Sequence, residues 1–98
     1  MPALFAKQVA CEKNMSEDDF LQLCFDQLSK LGIQVKKMMA GLEHNIQTDN
    51  NAIHTRSLMV ADLTKNESIL LQEQGLGDHR LLGCGLFIPQ KGIETIES

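Results

Sequence analysis

Residues 16–47 decide the predicted fold, and they read SEDDFLQLCFDQLSKLGIQVKKMMAGLEHNIQ. Ser16 is followed three residues later by Asp19, which is a variant of the capping box with Asp in place of Glu or Gln. Residues 17–19 are all acidic, and negative charge suits the positive end of a helix dipole. We therefore predict that a helix starts at Ser16.

Apolar side chains then recur at alternating spacings of three and four residues. These positions are Leu21, Cys24, Leu28, Leu31, Val35, Met38 and Leu42. Such spacing is typical of the a and d positions of a coiled coil, so one long helix over residues 16–47 is predicted. Gly41 offers an alternative end for this helix, because glycine often follows the last helical turn.

A second helix is predicted after a polar corner. Residues 48–51 read TDNN, four residue types that favour turns and caps. From about residue 51 to residue 74, apolar residues such as Met59 and Leu63 recur on one helical stripe. Thr64 and Glu67 form a second capping-box pattern, at which this helix could be kinked. Residues 16–75 are thus predicted to form a long helical hairpin with a coiled-coil-like seam.

The two ends of the chain have a different character. Residues 1–15 form a lead segment whose pattern decides nothing, and residues 76–98 form a glycine-rich tail. Within this tail, residues 81–88 are apolar apart from their glycines and predict a short extended or β segment that ends at Pro89. The predicted fold class is mainly α, in a single domain of 98 residues.

Composition excludes several classes of protein. The formal charge of −4 argues against binding to nucleic acid, which depends on many Lys and Arg side chains. No apolar run approaches the roughly 20 residues that span a bilayer, so no membrane contact is expected. The start of the chain lacks a basic and then apolar leader, and the three cysteines form no CxxC motif. A cytoplasmic, reducing location is predicted.

The length of the predicted helix indicates self-association. A helix over residues 16–47 would be about 48 Å long, whereas a compact 98-residue globule has a diameter of about 33 Å. A homodimer or other homo-oligomer would cover the apolar face. The alternative is a monomer in which the first helix ends at Gly41. The predicted oligomer or partner interface comprises Leu21, Leu28, Leu31, Val35, Met38, Leu42, Met59 and Leu63.

The chemical groups suggest no catalytic, cofactor or metal site. His44 and His54 flank the predicted corner and could approach each other, with Glu43 or Asp49 nearby, but their spacing matches no known metal-ligand pattern. Cys84 lies between two glycines and is interpreted as a small buried side chain. No cofactor is therefore expected.

The predicted function follows from these exclusions. A non-enzymatic protein-interaction module of the adaptor, chaperone or anti-activator type is expected, which self-associates through helical packing and binds another protein. Two alternatives stay open: a transcription-associated regulator that binds nucleic acid, and a small metal or redox protein built on Cys and His.

Overall fold

The computed structural model describes residues 3–77 and 84–89. Its elements are β1 (Leu4–Ala10), α1 (Glu17–Lys30), β2 (Lys37–Gln47), β3 (Ala52–Ala61), α2 (Lys65–Gln74) and β4 (Ile88–Pro89). The order βαββαβ is that of the ferredoxin-like fold. The prediction of a mainly α protein built on a long helical hairpin is therefore wrong.

The four strands form one antiparallel sheet in the order β2-β3-β1-β4. Strands β1 and β3 are central. Val60 of β3 lies opposite Leu4 of β1 and opposite Met38 of β2, so the three side chains share one face of the sheet. Leu4 and Val60 are fully buried, which identifies this face as the one that packs on the helices.

The first helix begins as predicted but ends much earlier. Ser16 is its N-cap and accepts a hydrogen bond from the backbone N–H of Asp19, which confirms the predicted start. At the other end, Gly32 adopts a φ of 86°, and the N–H of Ile33 bonds to the carbonyl of Leu28. This is the Schellman arrangement that ends helices, and burial of Leu28 and Ile33 reinforces it.

The apolar spacing beyond Gly32 has a different origin from that in α1. Met38 and Ala40 alternate with exposed residues on β2 and pack against the core, which is the period of two of a strand. The seam predicted over residues 21–42 therefore runs through part of α1, the connection after it and part of β2. A run of three- and four-residue spacings continued across the boundary by coincidence.

The predicted second helix is also a strand over most of its length. Residues 48–51 do form a turn, in which the Thr48 N–H bonds to the carbonyl of Asn51 and the Thr48 hydroxyl accepts from the Asn51 N–H. This turn joins β2 to β3 as a β-hairpin. Only after Thr64, whose capping box with Glu67 is confirmed, does the chain become helical.

The core lies between the sheet and the two helices. Its fully or nearly fully buried members include Leu4, Ala6, Val9, Leu58 and Val60 from the sheet, Phe20, Cys24 and Leu28 from α1, and Leu71 from α2. Neither α1 nor α2 is long and apolar enough to cross a membrane.

The eight residues of the predicted interface do not form one surface. Leu21 and Leu28 lie on α1, Leu31 and Val35 follow it, Met38 and Leu42 lie on β2, Met59 lies on β3, and Leu63 precedes α2. Leu28 and Leu63 are buried in the core, whereas Leu42 is 74% exposed. A role of these side chains in self-association stays a prediction.

The structure describes only part of the segment that was predicted to be extended, residues 81–88. Residues 81–83 lie outside the described residues, as do the later residues 90–98. Ile88 and Pro89 pair with Phe5 and Leu4 as the short edge strand β4.

The capping box of α2 makes stability depend on pH. The Glu67 carboxylate accepts hydrogen bonds from the backbone N–H of Thr64 at 2.9 Å and of Gln34 at 3.0 Å, and these bonds lower the pKa of Glu67 below its usual value. A lowered pKa in the folded state means that the stabilisation is complete above the unfolded pKa and is lost as pH falls through the folded one.

We therefore expect Glu67→Gln to lower the Tm at pH 7 and to flatten the decline of Tm on acidification below the usual glutamate range. Thermal unfolding followed by circular dichroism at several pH values measures both effects. Glu73→Gln makes the same chemical change on an exposed part of the same helix and should alter the Tm little. Equal behaviour of the two variants would contradict the role of the Glu67 hydrogen bonds.

Candidate functional site

A cleft of about 630 Å³ opens between the loop after β1, helix α1 and the far end of the β2–β3 hairpin. It is lined by Ala10, Cys11, Glu12, Lys13, Met15, Leu23, Gln27, Asn45, Asn51, Ala52, Ile53 and His54. The lining thus combines an imidazole, an ammonium group and several side-chain amides. Such groups can move a proton and bind an anion.

Two β-bulges shape the hairpin beside the cleft. The register of β2 against β3 shifts between Ala40 and Glu43, and that of β1 against β3 shifts between Ala6 and Val9. Because a bulge inserts an extra residue, the face to which alternate side chains point changes across it. Glu43 therefore lies opposite Arg56 on the helix side of the sheet. Without the bulge, Glu43 could not lie on the same face of β2 as Met38 and Ala40, which pack against the core.

Glycine at position 41 permits the bulge in β2. A Cβ atom there would collide with the hydroxyl oxygen of Ser57 on the neighbouring strand. The carbonyl of Gly41 accepts a hydrogen bond from Nε of Arg56 at 3.1 Å, and the hydroxyl of Thr55 donates to the carbonyl of His44 at 3.1 Å. The bulge is thus fixed to β3 by two side chains.

The charged centre of the site is the Glu43 carboxylate. Its Oε1 lies 3.3 Å from Nη2 of Arg56, and its Oε2 lies 3.8 Å from Nε2 of His54. The guanidinium of Arg56 also lies 6.0 Å from the ring centroid of Phe20. Packing and hydrogen bonds therefore hold Arg56, which in turn fixes the carboxylate beside the imidazole.

The accessibility of these groups differs. The side chain of His54 is 21% exposed and that of Arg56 is 14% exposed, whereas Glu43 is 53% exposed. A half-buried imidazole with a carboxylate on one side and a cleft beside it has the arrangement of a general acid–base group.

The cysteines do not supply a nucleophile. Burial raises the pKa of Cys11, more than the nearby Arg56 lowers it. Burial also raises the pKa of Cys24 to about 12 and raises that of Cys84. Since the thiolate is the reactive form, these thiols are poor nucleophiles at neutral pH. Cys24 and Cys84 are both buried, and the position of Cys84 confirms its interpretation as a small buried side chain.

The histidines do not converge on a metal site. His44 lies opposite Thr55, and His54 lies opposite Asn45, so the two imidazoles occupy opposite faces of the hairpin. Within residues 3–77 and 84–89, no three His, Cys, Asp or Glu side chains are placed to hold a metal ion. His79 lies outside the described residues.

The cluster of Glu43, His54 and Arg56 was not predicted, although its signal is in the sequence. In a hairpin, residues equally distant from the turn face each other across the strands. With the turn at residues 48–51, Glu43 meets Arg56, and Asn45 meets His54. The signal could be used only after residues 37–61 had been recognised as two strands.

Two comparisons with known proteins bear on this site. A family model described as Cas6 Crispr matches residues 1–92. The chain is also 30% identical, over all of its 98 residues, to a protein of Myxococcus xanthus (strain DK1622) named CRISPR-associated endonuclease Cas6. It spans 42% of the length of that relative.

These matches overturn the predicted function. Over all of its own 98 residues, the chain resembles a protein that is named an endonuclease. This resemblance contradicts the prediction of a non-enzymatic adaptor, chaperone or anti-activator. The predictions that the protein is no enzyme and that it is a coiled-coil regulator are wrong for the same reason.

Proposed function

The chain belongs to the Cas6 CRISPR family, and from this premise we propose that it contributes an RNA-cleaving site, centred on His54, to an endonuclease that processes CRISPR RNA. The observation that carries the proposal is the position of His54, which lines a cleft of about 630 Å³ with the Glu43 carboxylate 3.8 Å from its Nε2. No other histidine among the described residues lines this cleft.

The expectation that nucleic acid is not a partner conflicts with membership of this family. That expectation rested on the charge of −4 for the whole chain. A sum over the chain does not describe how charges are distributed, and affinity for phosphate depends on the cations close to the nucleic acid. Lys13 and His54 line the cleft together with Glu12, and Arg56 lies beside it in an ion pair with Glu43.

The proposed reaction uses a nucleophile that RNA itself carries. Removal of the proton from a 2′-hydroxyl lets its oxygen attack the adjacent phosphorus, and the bond from phosphorus to the 5′-oxygen of the next nucleotide breaks. The leaving oxygen then takes up a proton. His54 is suited to exchange these protons, and a positioned general acid or base accelerates such steps by about 10²- to 10⁴-fold.

The charged groups around His54 are each proposed to have a different role. The Glu43 carboxylate would hold the imidazole of His54 in one orientation. Arg56 is already engaged by Glu43 and by the carbonyl of Gly41, so its main role would be to position the carboxylate. Lys13 at the cleft is then the cation proposed to bind the phosphate.

The role of the 2′-hydroxyl has a direct test. An RNA containing a CRISPR repeat is expected to be cleaved about 100-fold more slowly or worse when the nucleotide 5′ of the cleaved bond is 2′-deoxy, because the attacking oxygen is missing. Single-turnover cleavage by the full-length protein measures the rate, and fluorescence anisotropy checks that binding persists. Equal cleavage of both RNAs would exclude the 2′-oxygen as the nucleophile.

A further inference from the structure

The two strand-to-helix connections of the fold end in the same way. In each, a residue with a positive φ lies two positions before the N-cap of the helix. Asn14, with a φ of 66°, precedes Ser16, and Asp62, with a φ of 59°, precedes Thr64. Asn and Asp adopt this left-handed conformation more readily than other residues apart from glycine. The two βα units therefore start their helices by the same local structure.

The first connection is longer than the second. Asp62 follows directly on the last residue of β3, whereas residues 11–13 lie between Ala10, the last residue of β1, and the equivalent Asn14. Since the second connection has no such residues, the turn into the helix does not require them. Residues 11–13 read Cys-Glu-Lys, and all three line the His54 cleft. We call them the cleft insert.

Backbone hydrogen bonds hold the cleft insert beside His54. The N–H of Cys11 donates to the carbonyl of His54 at 2.9 Å, and the N–H of Met15 donates to the carbonyl of Glu12 at 3.3 Å. Within residues 3–77 and 84–89, the side chains of Glu12 and Lys13 have no hydrogen-bond or ion-pair partner. The fold thus holds their backbone, and their charged groups are available to a molecule in the cleft.

We propose that Glu12 is a second catalytic residue of this cleft, which takes the proton of the RNA 2′-hydroxyl while His54 donates a proton to the leaving 5′-oxygen. The electron pair of the broken O–H bond allows the 2′-oxygen to bond to phosphorus, and the bond from phosphorus to the 5′-oxygen breaks. Glu12 ends protonated and His54 ends neutral, and proton exchange with water restores both. The inference rests on the proposed function, because it divides the two proton transfers of that reaction between two residues.

The other titratable groups that line the cleft are unsuited to accept the first proton. Burial raises the pKa of the Cys11 thiol, so little thiolate forms at neutral pH. The ammonium group of Lys13 is a donor only. An imidazolium that protonates the leaving oxygen cannot also accept a proton in the same step, which excludes His54. Glu43 is held in an ion pair and does not line the cleft, so the carboxylate of Glu12 is the acceptor that the lining supplies.

The variant Glu12→Gln separates catalysis from a purely electrostatic effect. Removal of a negative charge from a cleft that binds phosphate should strengthen RNA binding and, without a catalytic role, leave the rate at saturating RNA unchanged. We instead expect single-turnover cleavage of a CRISPR-repeat RNA at least about 100-fold slower, with a Kd by fluorescence anisotropy at or below that of the wild type. A wild-type rate in the folded variant would overturn the proposal.

Glu17→Gln is the matched control. It makes the same chemical change in the first turn of α1, at a residue that does not line the cleft, and should cleave at about the wild-type rate. A rate for Glu17→Gln as low as that for Glu12→Gln would show a general effect of charge on this loop and helix, and would contradict the assignment.

An RNA with sulfur in place of the leaving 5′-oxygen distinguishes the base from the acid. A thiolate is a much better leaving group than an alkoxide and departs without a proton, so His54→Ala should cleave this RNA at close to the wild-type rate. Glu12→Gln should stay slow, because its defect is in removal of the first proton. Equal behaviour of the two variants on this RNA, or recovery of Glu12→Gln alone, would overturn the division of roles.

Failure of this inference differs from failure of the proposed function. Slow cleavage by His54→Ala with a wild-type rate for Glu12→Gln would remove Glu12 from the mechanism and leave the proposed function standing. Wild-type rates in both variants, or no cleavage of the RNA by the full-length wild-type protein, would overturn both.

Discussion

Replacing His54 by alanine is expected to slow RNA cleavage at saturating RNA by at least about 100-fold, the lower end of the range for loss of a general acid or base. The imidazole lines the cleft and lies 3.8 Å from the Glu43 carboxylate, so its removal leaves no histidine at this position to exchange protons with RNA. Binding of RNA should change little, because the effect is on the chemical step.

Single-turnover rates at saturating RNA distinguish chemistry from affinity. His44→Ala is the matched control, since His44 is an exposed histidine on the other face of the same hairpin. It should cleave at the wild-type rate. Circular dichroism must show that both variants are folded. If His54→Ala and His44→Ala lost activity equally, or neither did, His54 would have no special role.

Gly85→Ala is expected to lower the stability of the fold strongly. Gly85 has a φ of 72°, and a Cβ atom there would collide with the carbonyl oxygen of Leu76. Backbone hydrogen bonds also join Gly85 to Leu76 and to Gln8 of β1, so the residue cannot move aside freely. Left-handed strain of about 1–2 kcal/mol and overpacking of about 1–3 kcal/mol predict a loss of roughly 2–5 kcal/mol in the free energy of unfolding.

Gly32→Ala separates the two causes. Gly32 also has a positive φ, at 86°, but a Cβ atom there would have no neighbour within 4 Å. Its substitution should therefore cost only the backbone strain, about 1–2 kcal/mol. Urea unfolding of both variants measures the difference. If Gly85→Ala cost no more than Gly32→Ala, the close contact between Gly85 and Leu76 would be refuted.

Local signals in the sequence predicted local structure well. The helix start at Ser16 and the capping box of Thr64 with Glu67 were predicted from side chains that hydrogen-bond to the next turn, and such contacts need no tertiary structure, although Thr64 was interpreted as a kink within a longer helix. The periodicity of the apolar residues was a less reliable guide to secondary structure. Residues 35–42 fit a heptad register only because the α1 register happens to continue into β2, where Met38 and Ala40 alternate as in a strand.

The residue types themselves favoured strands and a short first helix, but the heptad pattern was given more weight. Residues 52–61 contain Ile53, Thr55 and Val60, β-branched residues that favour strands. Gly32 marked the end of α1, since glycine adopts the left-handed conformation that ends a helix. With both signals weighted above the seam, a short α1 and a strand over residues 52–61 would have been predicted. The pairing order of the strands depends on contacts distant in sequence and would still have been open.

The candidate site was predicted only as separate parts. His54 and Glu43 were considered together with His44 and Asp49 as a metal site, on the assumption of a helical corner. The β-hairpin instead separates His44 from His54 and brings Arg56 to Glu43. Lys13 comes to the cleft from a loop 41 residues away from His54 in the sequence, which no local pattern could indicate.

The dependence of His54→Ala cleavage on added imidazole tests the site at the level of its chemistry. We predict almost no cleavage of CRISPR-repeat RNA without imidazole and a rate that rises with imidazole concentration, as free imidazole enters the cleft and exchanges the protons in place of the missing side chain. Cleavage at the wild-type rate without imidazole, with no response to its addition, would contradict the assignment of His54 as the acid–base group.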